Sequence, residues 1–176
     1  MTDMLGEITL RKKPLQTTMG LLSFGSRTIP CALGRSGLGP IKLEGNGITP
    51  LIQTRILYGF YRPDKERRPV SALPFFRLEK NMGWCDAPGH PNYNRLVQLP
   101  FSASHERMWR DDDLYDLVLV LDINIDPRAN RRGSALFIHV ARPGYSATEG
   151  CIALAKPDLR HLLAVISTKT RLTIAR

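Results

Sequence analysis

The stretch FIHVARPGYSATEGCIAL, residues 137–154, brings a histidine and a cysteine within twelve residues of each other. A thiol attacks a carbonyl as its thiolate. It therefore needs a base, a rigid mount, and donors for the oxyanion that forms. His139 can be the base. It sits in an apolar run with strand character, and strand alternation puts it on one face with Ala135 and Phe137. Cys151 opens a second short apolar segment, and the loop carrying Pro143 and Gly144 can turn the chain back so that the two become neighbours. Such contacts bring a thiol pKa from about 8.5 into roughly the 3.5–7.5 range. Gly150 has no Cβ, which permits a tight turn and close approach of substrate, and the N–H groups of Gly150 and Cys151 can face an oxyanion. Thr148, one residue before Glu149, can bond the loop backbone and hold the turn. Taken alone, the pattern also fits a satisfied core histidine beside a structural Gly-Cys pair.

Positioning these groups requires a β framework. Segments 7–11, 21–24, 28–33, 51–58 and 170–175 read as strands, with a hairpin at Gly25-Ser26. Segments 114–122 and 134–141 are apolar on both faces, as central strands are. Leu159, Leu162, Leu163 and Ile166 recur at helical spacing behind Pro157, which predicts a helix over 157–167. A second helix is expected over 102–110. The Pro- and charge-rich region 61–100 reads as a long irregular insertion. The expected architecture is one mostly β domain over residues 1–176, with one or two short helices.

Composition narrows the function classes. The net charge is +9 and the pI near 9.9, which favours anionic partners. The basic clusters at Arg11-Lys12-Lys13, 65–68 and Arg131-Arg132 are short, however, and the aromatic residues form no stacking platform for nucleic acid. Cys31, Cys85 and Cys151 are an odd set with no C-x-x-C pair, which speaks against a zinc knuckle or a thioredoxin-type site. Asp111-Asp112-Asp113 lacks calcium-loop spacing and reads as a solvated turn. No metal or cofactor is expected. No apolar run reaches the ~18 residues of a membrane helix. The first eleven residues, with Asp3 and Glu7, do not read as a secretory leader.

The ordered segments resemble the L,D-transpeptidases of the YkuD type, in particular a compact proteobacterial branch. That family carries a histidine, a loop, then Ser/Thr-His-Gly-Cys and a hydrophobic residue. Here these positions read His139, then Thr148-Glu149-Gly150-Cys151-Ile152. Lys42-Leu43-Glu44-Gly45-Asn46-Gly47-Ile48-Thr49-Pro50 is similar to the family's K-x-x-G-D-x-x-T-P region, with Asn46 where aspartate is usual. Gly83-Trp84-Cys85-Asp86, Tyr93-Asn94-Arg95, Ser104-His105-Glu106 and Leu114-Tyr115-Asp116-Leu117 extend the resemblance, which spans about residues 5 to 175. It implies a YkuD-like β-sandwich. It also implies a cysteine acyltransferase acting on peptidoglycan stem peptides in the periplasm or cell wall. The cysteine takes an acyl group at a bond between an L-centre and a D-residue, and passes it to a diaminopimelate amine as a 3→3 or 1→3 crosslink. Glu149 stands in place of the usual second histidine, Ala153 in place of a frequent arginine, and the His-to-Cys interval is short. These departures leave the donor position open.

Four further residues are candidates for substrate contact. Arg142 can supply a cation for a substrate carboxylate. His105 can touch substrate or serve its own loop. Tyr93 and Trp109, like Trp84, can line a groove or anchor the insertion. Two other readings compete. In one, the same residues serve a hydrolase that uses water as acceptor. In the other, the chain is a basic binding module without chemistry.

Overall fold

The computed structural model describes residues 4–176. Residues 1–3, which open the segment weighed as a leader, lie outside the described residues. Among the described residues, fourteen strands and one helix follow in chain order. They are β1 (Glu7–Lys12), β2 (Met19–Phe24), β3 (Arg27–Ala32), β4 (Leu38–Gly39), β5 (Thr49–Pro50), β6 (Ile52–Tyr61) and β7 (Phe75–Arg77). Then come β8 (Met82–Cys85), β9 (Arg95–Gln98), β10 (His105–Arg107), β11 (Leu117–Leu121), β12 (Phe137–Val140), β13 (Ile152–Leu154), α1 (Lys156–Leu163) and β14 (Arg171–Ala175).

The fold is mostly β, as expected for a YkuD-like sandwich. Nine strands form the main sheet in the order β11-β12-β13-β3-β2-β1-β14-β6-β7, and β11 also pairs with β6, so the sheet curls back on itself. Every residue of β11, β12 and β13 is buried, which is why these segments are apolar on both faces. Alternation divides their side chains between two cores. Ile138, Val140, Ile152 and Leu154 face the larger one, together with Leu159, Leu162 and Leu163 of α1. Phe137, Val118 and Val120 face a smaller one with Trp84, Tyr115 and Met108.

The region 61–100 is more regular than its composition suggests. It contributes β7, β8 and β9, and β8 and β9 join β10 in a separate three-stranded sheet. This sheet covers the smaller core, where Trp84 meets Phe137 edge-on at 5.1 Å and donates its indole N–H to Asn94 Oδ1. The helix expected over 102–110 is replaced by β10, paired antiparallel with β8 from His105↔Cys85 to Arg107↔Gly83. The segment has no apolar stripe at helical spacing. An open edge of β8 satisfies its backbone instead.

The helix α1 ends at Leu163, short of the expected Ser167. Proline occupies its first turn, Asp158 lies at its N-terminal end, and Arg160 and His161 lie in the last turn, all in accord with the helix dipole. No helix among the described residues is long and apolar enough to cross a membrane.

Candidate active site

The thiol and the imidazole are mounted on adjacent parallel strands. The register Ile138↔Ile152 and His139↔Ala153 sets Cys151, just ahead of β13, level with Phe137. Residues two apart on a strand share a face, so Phe137, His139, Cys151 and Ala153 all point to the same side. His139, Cys151 and Ala153 line one cleft of about 500 Å³. The sulfur donates to the Ala135 carbonyl at 3.1 Å and accepts the Phe137 N–H at 3.5 Å. The imidazole Nδ1 lies 2.9 Å from the Val140 carbonyl. A carbonyl can only accept, so Nδ1 carries the proton and Nε2 keeps its lone pair. This is the tautomer a general base needs.

Three successive carbonyls, from Glu149 to Cys151, are each captured by a side chain. The Glu149 carbonyl takes Lys42 Nζ at 2.9 Å, the Gly150 carbonyl takes Thr49 Oγ1 at 2.9 Å, and the Cys151 carbonyl takes Thr148 Oγ1 at 2.6 Å. Thr148 Oγ1 also accepts the Gly150 N–H at 3.1 Å, so that donor is already engaged. Gly150 has φ +135°, where L side chains are strained. The space beside its Cα is filled by the Lys42 ammonium, and a Cβ there would lie 2.7 Å from Nζ. The close approach that needs glycine is therefore made by a lysine of the protein as well as by the turn itself.

Thr49 is buried, and its hydroxyl joins the Gly34 N–H to the Gly150 carbonyl. Thr49→Val keeps the shape and removes both bonds. Leaving buried groups unpaired costs about 1–3 kcal/mol each, so the variant is expected to lose roughly 2–4 kcal/mol of unfolding free energy in a denaturant titration. A loss under about 0.5 kcal/mol would show that the turn does not depend on this link.

Electrostatics keep the resting pair neutral. Burial pushes the Cys151 thiol up to about 12, helped by the Glu106 carboxylate and opposed by the Phe137 N–H and the Lys42 ammonium. Burial pushes His139 down to about 4, against the pull of the Val140 carbonyl. An unfolded histidine titrates near 6.5, so between that pH and about 4 the unfolded chain binds a proton that the folded one refuses. The His139 contribution to stability is therefore fully present above about pH 6.5 and is lost as pH falls toward 4. Denaturant titrations over this window should show a steeper fall for the wild type than for His139→Gln. Equal slopes would refute the assignment.

Arg110, Arg142, Glu44, Asp86, Glu106 and Tyr115 complete the cleft wall. Burial raises Glu106, which accepts the Tyr115 hydroxyl. The Tyr115 ring stands edge-on to His139 at 5.4 Å. Arg142 reaches the cleft and lies 3.7 Å from Asp112, which is held more tightly by Arg110 at 2.8 Å. Asp112 and Asp113 thus serve ion pairs, the latter with Lys65. Glu149 lines the cleft and pairs with Arg35 at 3.0 Å in an exposed bridge of little energetic weight.

Three residues singled out from the sequence lie away from the cleft lining. Tyr93 is buried and donates its hydroxyl to Glu44, so it sits behind the wall. His105 bonds the Ala103 carbonyl through Nδ1 at 2.8 Å and packs on Phe101. Trp109 carries Arg62 on its face at 3.9 Å and anchors the cover sheet. Conversely, sequence reasoning passed over Lys42, Glu44, Thr49, Asp86, Glu106, Arg110 and Tyr115 as individual site residues. Most stood in the quoted segments. The signal that could have raised Lys42 and Thr49 is their place among glycines, where the backbone has room for a partner.

Among known protein families, the model of YkuD, the L,D-transpeptidase catalytic domain, matches residues 22–174. Comparisons with curated proteins and with solved structures gave no match.

Proposed function

The chain belongs to the YkuD family of L,D-transpeptidase catalytic domains, and from that premise we propose that it crosslinks peptidoglycan stem peptides through a thioester on Cys151. His139 Nε2 takes the thiol proton as sulfur attacks the carbonyl of an L-centre that is followed by a D-residue. The tetrahedral intermediate collapses, the C–N bond breaks, and the imidazolium returns its proton to the leaving amine. The acyl group is then a thioester. The amine of a diaminopimelate side chain enters, loses a proton to His139, and attacks. The new amide forms as the thiolate leaves and recovers the proton.

The observation that carries this reading is the shared face of Cys151 and His139 in one cleft, with Nδ1 committed to the Val140 carbonyl and Nε2 left as acceptor. The resting site is a neutral thiol and a neutral imidazole. In this reading the proton moves as substrate is attacked, and no standing ion pair is required. The N–H of Cys151 is the oxyanion donor we assign, because that of Gly150 is held by Thr148. Arg142 and Arg110 offer cations for the carboxylates of a stem peptide, and Glu44, Asp86 and Glu106 offer anions for its amines.

Mass spectrometry of muropeptides incubated with the protein tests the proposal. Wild type is expected to yield crosslinked dimers and a mass adduct on Cys151, and Cys151→Ala neither. Fragmentation then names the donor residue. Shortened monomers without dimers would replace the transpeptidase by a hydrolase. Absence of both products and of any adduct would defeat the catalytic reading.

A further inference from the structure

Lys42 has surroundings that its resting contacts do not account for. It is 8% exposed. Its ammonium donates to the Glu149 carbonyl at 2.9 Å, and no carboxylate among the described residues forms a salt bridge with it. Its stem runs so close to Gly133 that a Cβ there would sit 2.7 Å from Lys42 Cγ. Two glycines at positive φ, Gly133 and Gly150, therefore flank the one side chain. A buried ammonium without a counter-ion is unfavourable unless an anion forms beside it. Of the two neighbours of Gly150, Glu149 turns its carboxylate to solvent and to Arg35, which leaves the Cys151 thiol as the group that can become an anion.

We propose that Lys42 is the cation that receives the Cys151 thiolate, holding the turn through the Glu149 carbonyl and placing its charge beside the sulfur. The inference rests on the reading of Cys151 as nucleophile. It adds a positioning residue outside the histidine–cysteine pair. The thiolate forms when its proton passes to His139 Nε2, and the ammonium then offsets the charge left on sulfur. The other charged groups that face the thiol are Glu106 from β10 and Glu149 from the turn, and both oppose ionisation. Lys42 supplies the opposing positive charge. Lys42 in turn feels Cys151 ahead of Glu44 and Glu149, after the burial that lowers it, and Arg35 adds to that lowering. Glycine at 150 is then required twice, for the turn and for the path of the ammonium.

The test is the rate of Cys151 alkylation by iodoacetamide at a fixed neutral pH, followed by mass spectrometry at the residue. Cys31 and Cys85 are fully buried, so the label reports on Cys151. Lys42→Met removes charge and hydrogen bond, whereas Lys42→Gln removes the charge and keeps a donor for the Glu149 carbonyl. In both, alkylation at neutral pH is expected to slow by about tenfold or more, because a neighbouring cation that favours the thiolate is gone. An unchanged alkylation rate in folded Lys42→Gln would reduce Lys42 to a structural hydrogen bond and overturn the proposal.

The reciprocal measurement needs no change at Lys42, so a variant that fails to fold does not remove the test. By linkage, a fixed anion at position 151 should hold the proton on Lys42, so the Lys42 amine, read by NMR of labelled lysine, should titrate at higher pH in Cys151→Asp than in wild type, and an identical titration would also overturn the proposal. Neither readout requires peptidoglycan turnover. Slowed alkylation of the lysine variants of a protein that makes no crosslinks would fault the proposed reaction alone, and normal crosslinking with an unchanged alkylation rate would fault the role of Lys42 alone.

Discussion

Replacing His139 by glutamine is expected to lower kcat/KM for crosslinking by about 10³-fold, within the roughly 10²–10⁴-fold range of positioned proton transfer. The expectation follows from three features. Val140 fixes the tautomer through Nδ1 at 2.9 Å, so the lone pair is on Nε2. Burial holds the ring near pH 4, so it is unprotonated throughout the neutral range and available as a base. Burial also holds the thiol near 12, so very little thiolate exists without a proton acceptor. Glutamine has comparable bulk and can still donate to the Val140 carbonyl, so the strand should survive. The measurement is initial rate of dimer formation against muropeptide concentration, with a denaturant melt of the same preparation. A variant within tenfold of wild type would show that the imidazole is not the base. In the free wild-type enzyme, the acidic limb of kcat/KM should fall near pH 4, well below the ordinary histidine range.

Gly150→Ala is expected to destabilise the fold by roughly 3–5 kcal/mol and to abolish crosslinking in whatever protein remains folded. Two penalties act together. At φ +135° an L residue is strained. The new Cβ would also stand 2.7 Å from Lys42 Nζ and 2.8 Å from the Ile48 carbonyl. The lysine tip can withdraw, but the carbonyl belongs to the backbone ahead of β5 and cannot move without disturbing Thr49. Withdrawal would release the Glu149 carbonyl, and displacement of Thr49 would release that of Gly150. Either way the turn that aims the sulfur is lost. Denaturant titration and the dimer assay check the two effects separately. A wild-type unfolding midpoint together with wild-type turnover would mean that the turn tolerates a side chain.

The proposed nucleophile and base could be picked out from the chain because the strand–turn–strand unit that carries them is local. Period-two alternation puts His139 on the face of Phe137, and the short loop returns Cys151 beside it. The apolar runs of β11 and β12 and the helical spacing of Leu159, Leu162 and Leu163 were legible for the same reason: burial on both faces or on one stripe dictates composition directly. The region 61–110 was misread because its strands are three or four residues long. Their pairing is decided by which edge is available and leaves little periodic signal.

The sequence by itself thus determined the β framework, the family resemblance and which histidine and cysteine to propose as the reacting pair, while the parallel register that sets the two on one face came from the fold. Tertiary structure alone decided what holds the turn and what walls the cleft. Lys42 and Thr49 reach carbonyls 107 and 101 residues away in the chain, and Glu106 and Asp86 arrive on a sheet laid over the smaller core. A hydrogen bond between distant segments leaves no periodicity in either one. It exists only once packing has set the donor and the carbonyl within about 3 Å of each other.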